Sequence, residues 1–194
     1  MIELPLFPLR SVLYPGGQLP LKIFEQRYLD MTKACIRDNA AFGVCLIRAG
    51  NEVGAPATPH EVGCTARIEH WEMPHLGIFH LLARGEHVFR IVEQWVEQNG
   101  LQRARVELCE AVPPQGESAD QTIMSELLAR IIDKLGAENF PEPLRLDDPQ
   151  WVSWRLCEVL PLDDAFKQDM LETIDTAARL HRLRAYLNSQ SVPI

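Results

Sequence analysis

The sequence predicts an α+β protein: a curled antiparallel sheet or small barrel with one early helix over residues 1–112, then a bundle of three to four helices over 113–194. Period-two apolar runs with hairpin signals fill the first part. Helical apolar spacing with N-cap residues fills the second. Pro113-Pro114-Gln115-Gly116 separates the two.

The opening is cut by prolines, in Leu4-Pro5-Leu6-Phe7-Pro8-Leu9, at Tyr14-Pro15-Gly16 and at Leu19-Pro20-Leu21. Proline has no N–H to give to a ladder, so this reads as a sheet edge that bends at Pro15-Gly16-Gly17 and restarts. A helix follows over 29–36, where Tyr28, Met31, Cys35 and Ile36 form one apolar stripe and Asn39 is a suitable stop. Phe42–Ile47 reads as a buried strand and 49–60 as a loop. From Val62 the period is two, with Cys64, Ala66 and Ile68 on one face and Thr65, Arg67 and Glu69 on the other. Turns are expected at Pro74-His75-Leu76-Gly77 and at Arg84-Gly85-Glu86. Asn99-Gly100 signals a hairpin into a last strand through Ala104, Val106 and Leu108.

In the second part Ser118 and Gln121 form a capping box. Ile123, Leu127, Leu128, Ile131, Ile132 and Leu135 make the apolar face of the helix they open. Asp148-Pro149 starts a second helix and Asp163 or Asp164 a third. In a last helix Leu180, Leu183 and Leu187 repeat, and Arg179, Arg182 and Arg184 are expected toward its C-terminal part, where the dipole favours cations.

Composition narrows the function. At 194 residues with 46% apolar content, the chain can bury a real core. It has no membrane-spanning run and no signal-peptide pattern at Met1-Ile2-Glu3, so a cytoplasmic protein without a membrane partner is expected. Five scattered cysteines without a C-x-x-C fit reduced thiols rather than a disulfide framework or a cysteine-built zinc site. Net charge is −8, with 11 basic against 13 acidic residues in 1–112 and 8 against 14 in 113–194. That balance disfavours nucleic acid as the main partner.

The opening motif, Leu4-Pro5-Leu6-Phe7-Pro8-Leu9, Val12-Leu13-Tyr14-Pro15-Gly16, Leu19-Pro20-Leu21, Ile23-Phe24-Glu25 and Arg27-Tyr28, resembles the start of the Lon protease N-terminal domain, also called the Lon substrate-binding domain. The likeness continues through Phe42-Gly43-Val44, Gly63–Ile68, Gly85 and Phe89-Arg90-Ile91. It reaches Trp154, Leu160-Pro161-Leu162, Lys167-Gln168 and Arg179-Leu180. Tyr14, Lys22 and Gln26 depart from the usual Phe, His and Pro. The resemblance implies a PUA-like barrel followed by a helical bundle, and a role in binding unfolded or extended polypeptide. With no G-x-x-x-x-G-K-[ST] to cradle ATP phosphates, and no room for a protease domain, a stand-alone, non-enzymatic adaptor without cofactors is expected. A protease or chaperone is a candidate partner.

Four sets of residues are weighed for function. A Trp71 exposed beside Met73 and Leu76 would make an apolar patch at a hairpin tip, suited to an extended peptide. Glu25 and Arg27 flank the turn from strand into helix, where an ion pair competes with a partner contact. If Pro74-His75-Leu76 is the tip, His70 faces His80 and Trp71 faces Phe79. Such a histidine pair could begin a metal site or serve a small-ligand enzyme on the barrel face. The Arg179, His181, Arg182 and Arg184 cluster could serve RNA binding, as PUA-like folds include RNA binders, but a solvated helix face accounts for it better against the net charge.

Overall fold

A computed structural model describes residues 1–114, 116 and 118–190, so Gln115 of the expected break lies outside the described residues. The chain divides into two compact units, Met1–Cys109 and Glu110–Ile194.

The first unit contains β1 (Ile2–Leu9), β2 (Gln18–Ile23), α1 (Gln26–Asp38), β3 (Phe42–Ala49), β4 (Thr58–Pro59), β5 (Val62–His75), β6 (Ile78–Val96) and β7 (Gln102–Cys109). Strand β1 pairs antiparallel with β7 and parallel with β3. Antiparallel pairings of β3 with β5, β5 with β6 and β6 with β7 complete a closed ring of five strands. Closure explains why Val62–Ala66 is buried throughout rather than alternately: one face lines the ring and the other packs outward against a second apolar layer. Leu4, Leu6, Cys45, Phe89, Ala104 and Val106 fill the ring. On the other face of the same strands Phe7, Phe42, Val44 and Cys64 pack with Tyr28, Met31 and Cys35 of α1.

Two glycines make room inside the ring. A Cβ at Gly43 would lie 2.8 Å from the Phe89 ring and 2.6 Å from Leu4; one at Gly63 would lie 2.7 Å from Phe89 and press on the Val44 carbonyl oxygen. The expected turn at Arg84-Gly85-Glu86 is absent, because β6 runs through it without interruption. Gly85 serves close approach instead: its N–H donates to Gly17 O at 2.9 Å, and Gly16 N–H donates to Gly85 O at 2.7 Å. A Cβ there would strike the Tyr14 carbonyl, so the bend at Pro15-Gly16-Gly17 is pinned against β6. The Asn99-Gly100 signal does mark the β6–β7 hairpin, although only Gly100 takes positive φ. The Asn99 side chain accepts from Leu101 N–H at 2.9 Å.

The second unit contains α2 (Ala119–Leu135), a short 3₁₀ turn (Ala137–Asn139), α3 (Pro149–Val159), α4 (Asp164–Glu172) and α5 (Thr176–Ser189). Side chains of Ser118, Asp148, Asp163 and Asp175 accept backbone N–H groups at the four helix starts, satisfying donors a helix leaves bare. On α2 the buried residues are Met124, Leu127, Leu128 and Ile132; Leu135, expected on the apolar face, is 53% exposed. Arg179 overturns the expectation for the last helix. It lies in the first turn of α5, not the last, and is fully buried. Its Nε donates to Ser153 Oγ at 2.8 Å and its terminal nitrogens to Thr173 O at 2.5 Å and Thr176 Oγ1 at 3.1 Å. The guanidinium also stacks 3.5 Å from the Trp154 ring centroid. A fixed planar fork thus joins α3, the end of α4 and the start of α5. Arg184 and His181 of α5 both reach the Asp120 carboxylate of α2, and their hydrogen bonds hold that carboxyl below its usual range.

Replacing Gly63 with Ala should cost about 3 kcal/mol, as expected for a methyl forced into a filled core, seen as a lower denaturation midpoint. Arg179→Lys keeps the charge but loses the fork. It should destabilise the protein by about 2–4 kcal/mol in chemical denaturation, whereas conservative exchange at exposed Arg145 should be neutral. Asp120 has a depressed folded pKa, so its stabilisation is present above the ordinary carboxylate pKa of about 3.9 and is lost as pH falls through the folded value. Asp120→Asn should therefore be less stable than the native chain at pH 6, and the gap should close toward pH 3 in parallel urea titrations.

Candidate partner-binding surface

Beyond the ring, the β5–β6 hairpin continues as an arm. Residues 67–75 of β5 pair only with β6, and residues 79–84 of β6 pair with β5 on one side and β2 on the other. Gly77, at φ 80°, closes the turn between His75 and Ile78. The register differs from simple alternation. Ile68 pairs with Ala83 and Trp71 with Leu81, so β5 spends three residues where β6 spends two, a bulge at Glu69. That extra residue turns Trp71 from the polar side, where alternation puts it, onto the face of Ile68, Leu81 and Phe79. Its ring meets Phe79 edge-on at 5.8 Å between centroids, diagonally rather than in the expected direct pairing.

The same bulge separates the histidines. His70 pairs with Leu82, and Glu72 stands opposite His80, with His80 Nδ1 3.2 Å from Glu72 Oε1. The facing histidine pair is therefore not formed. Among the described residues no group of three or more His, Cys, Asp or Glu is placed to hold a metal ion.

Trp71 is 52% exposed, Met73 46% and Leu76 97%, so the arm carries apolar surface to its tip. Strand β2 pairs with β6 alone, leaving its second edge without a strand partner among the described residues. Along that edge lies a groove of about 180 Å³, floored by Phe7, Leu9 and Tyr28 and bounded by Leu21, Phe24 and Val53. Phe24 and Val53 are both more than half exposed, and sequence reasoning did not single out either. Phe24 could have been found, since an adjacent Ile23-Phe24 pair in an extended strand must send one side chain outward. Val53, alone in a loop, has no such signal.

Glu25 and Arg27 hold a different place. They pair at 3.0 Å, with Arg27 only 7% exposed. Arg27 also donates to Gly100 O at 3.3 Å and lies 4.6 Å from the Tyr28 ring centroid. Gly54 N–H approaches Glu25 Oε2 at 3.4 Å. The pair thus joins the start of α1 to the loops around Gly54 and Gly100.

The thiols are poorly suited to nucleophilic work. Burial pushes Cys35 up to about 11 and also raises Cys45 and Cys109, which disfavours the thiolate at neutral pH. Ser153 is occupied, donating to Gln150 O and accepting from Arg179. The α5 cations do not form a free basic face: Arg179 is buried, Arg182 pairs with Asp169 and Arg184 with Asp120. Burial pushes the Glu158 carboxyl up to about 7 against the opposing influence of Arg155, which donates to it at 2.8 Å.

A closed five-stranded ring with a hairpin arm, together with a helical unit, makes this an α+β protein whose arm carries exposed apolar residues. The profile of the ATP-dependent protease La (LON) substrate-binding domain matches residues 3–189, and the chain belongs to that family. It is similar in structure to a Lon N-terminal domain protein from Xanthomonas campestris, with 34% identity, a TM-score of 0.80 and coverage of 96% of this chain and 99% of that one. The N-terminal domain of a Mycobacterium avium complex Lon protease shares the fold at 17% identity, with a TM-score of 0.69 and full coverage of both chains. A Lon protease of Anaeromyxobacter dehalogenans is 28% identical over 95% of this chain, which spans only 23% of that relative. No helix among the described residues is long and apolar enough to cross a membrane.

Proposed function

We propose that the chain is a polypeptide-recognition module that captures extended or unfolded segments and performs no chemistry itself. The carrying observation is the arm, where Trp71, Met73 and Leu76 present apolar side chains to solvent. Apolar surface held on paired strands favours capture of a partially unfolded chain, which exposes both apolar groups and unpaired backbone. The free edge of β2 and the groove bounded by Phe24 and Val53 supply a second contact line suited to an extended strand. Family membership supports the reading, as does the absence of a P-loop from the sequence. In this role the module works in the cytoplasm as an adaptor that passes captured chains to a separate protease or chaperone.

Fluorescence anisotropy with a labelled, permanently unfolded protein tests the proposal on the full chain. Leu76→Ser and Trp71→Ser together should weaken binding about tenfold, the cost of losing a central apolar anchor, with a stability loss of about 1 kcal/mol from the broken Trp71–Phe79 contact. Unchanged affinity in the double variant would remove the arm from the binding surface. Failure of the native chain to bind any unfolded protein would overturn the function.

A further inference from the structure

A second cleft, of about 310 Å³, lies between α1 and the ring, where β1, β7 and the β6–β7 loop meet the helix. Its floor is apolar, made by Pro5, Met31, Ala34, Ala41 and Leu101. Four carboxylates line it, Glu3, Asp30, Asp38 and Glu97, against one guanidinium, Arg103, which stands 3.6 Å from Glu97. Other groups reach these carboxylates from outside the cleft. Arg37 pairs with Asp38, while Arg105 is shared between Glu3 at 3.4 Å and Glu93 at 2.8 Å. With all of them counted, five carboxylates face three guanidiniums, so the excess stays negative. Asp30 accepts only from the neutral Gln26 amide among the described contacts, at 2.8 Å. The arginine pairs are solvent-exposed and hence weak, so an incoming cation can exchange with them at little cost.

We infer that this cleft binds a lysine or arginine side chain of a captured polypeptide, with small apolar neighbours of that residue resting on the floor. Long basic side chains bury their methylene stems against apolar surface and keep the charged head at a polar rim, which is the arrangement the cleft offers. Its volume is at the lower end of the range of about 300–1,000 Å³ usual for ligand pockets, enough for one such side chain and part of its neighbours. The lining excess of negative charge selects the basic residue over an acidic one. This inference rests on the polypeptide-recognition reading and adds a charge preference to it.

The test uses the full chain and three labelled peptides of alternating valine and alanine that differ in one central residue: lysine, glutamine or glutamate. The lysine peptide should bind about tenfold more tightly than the glutamine peptide, with the difference shrinking at high salt. Asp30→Asn with Glu97→Gln should erase the preference by bringing the lysine peptide down to the affinity of the glutamine peptide. Asp133→Asn with Glu138→Gln, which removes two exposed carboxylates from the second unit, should leave the preference intact. Ala34→Trp, which fills the cleft from the helix side, should weaken the lysine peptide selectively. Equal binding of lysine and glutamine peptides, or equal loss of preference in the control variant, would overturn the cleft assignment while polypeptide recognition stands. Binding of none of the peptides and of no unfolded protein would overturn both.

Discussion

Phe89 and the two glycines around it set the geometry of the first unit. A five-stranded ring is narrow, and one aromatic ring together with Leu4, Leu6 and Val106 fills it. That filling is possible only where the facing strands carry no side chain, at Gly43 and Gly63. With the ring closed, β1 lies between β3 and β7, and each of these strands is paired along both edges. The remaining length of β5 and β6 has no ring left to join. It continues as an arm whose β6 edge pairs with β2 and whose base packs through Phe79, Leu81 and Ala83 into the apolar cluster, while the apolar residues at its end stay in solvent. The exposed surface is thus a consequence of closure: hairpin strands longer than the ring needs must present their last residues elsewhere.

The second unit solves a different problem. Its helices are short, at 9 to 17 residues, and none would be stable alone in water. Apolar packing of Met124, Leu128, Leu156, Met170 and Leu183 draws them together, but apolar contact is indifferent to small rotations. Arg179 is not indifferent. Its hydrogen bonds to Ser153, Thr173 and Thr176 and its stacking on Trp154 set the angles among α3, α4 and α5. A buried guanidinium is costly to desolvate, so it is retained for orientation more than for net stability.

The chemical groups of the chain are mostly engaged in structure. Cys35 and Cys45 sit in apolar layers with raised pKa values, Ser153 serves Arg179, and Glu25 holds Arg27 between two loops. Among the groups open to a partner are apolar side chains on the arm and along β2, and carboxylates around a small cleft. In the proposed role, both kinds of surface would meet features any unfolded chain can display.

The sequence by itself determined much of this protein. Period-two runs, proline-cut edges and three good helix caps give the α+β class and nearly every element, because propensity, alternation and capping are local effects. The opening motif likewise identifies the family. Alternation places Trp71 on the polar side with Arg67 and Glu69. It is half exposed, as is Met73, with Leu76 at the tip more so, but through its place on the arm and not through that alternation. Other features were decided only by tertiary structure. The bulge at Glu69 shifted Trp71 to another face and parted His70 from His80, since pairing with a second strand, not local preference, sets register. Gly85 reads locally as a turn, yet is a contact point for the Tyr14 backbone. Arg179 reads as a solvated cation, yet is fully buried, because its partners come from α3 and from the α4–α5 connection. The cleft beneath α1 draws on residues from 3 to 103, and no window along the chain could have assembled it.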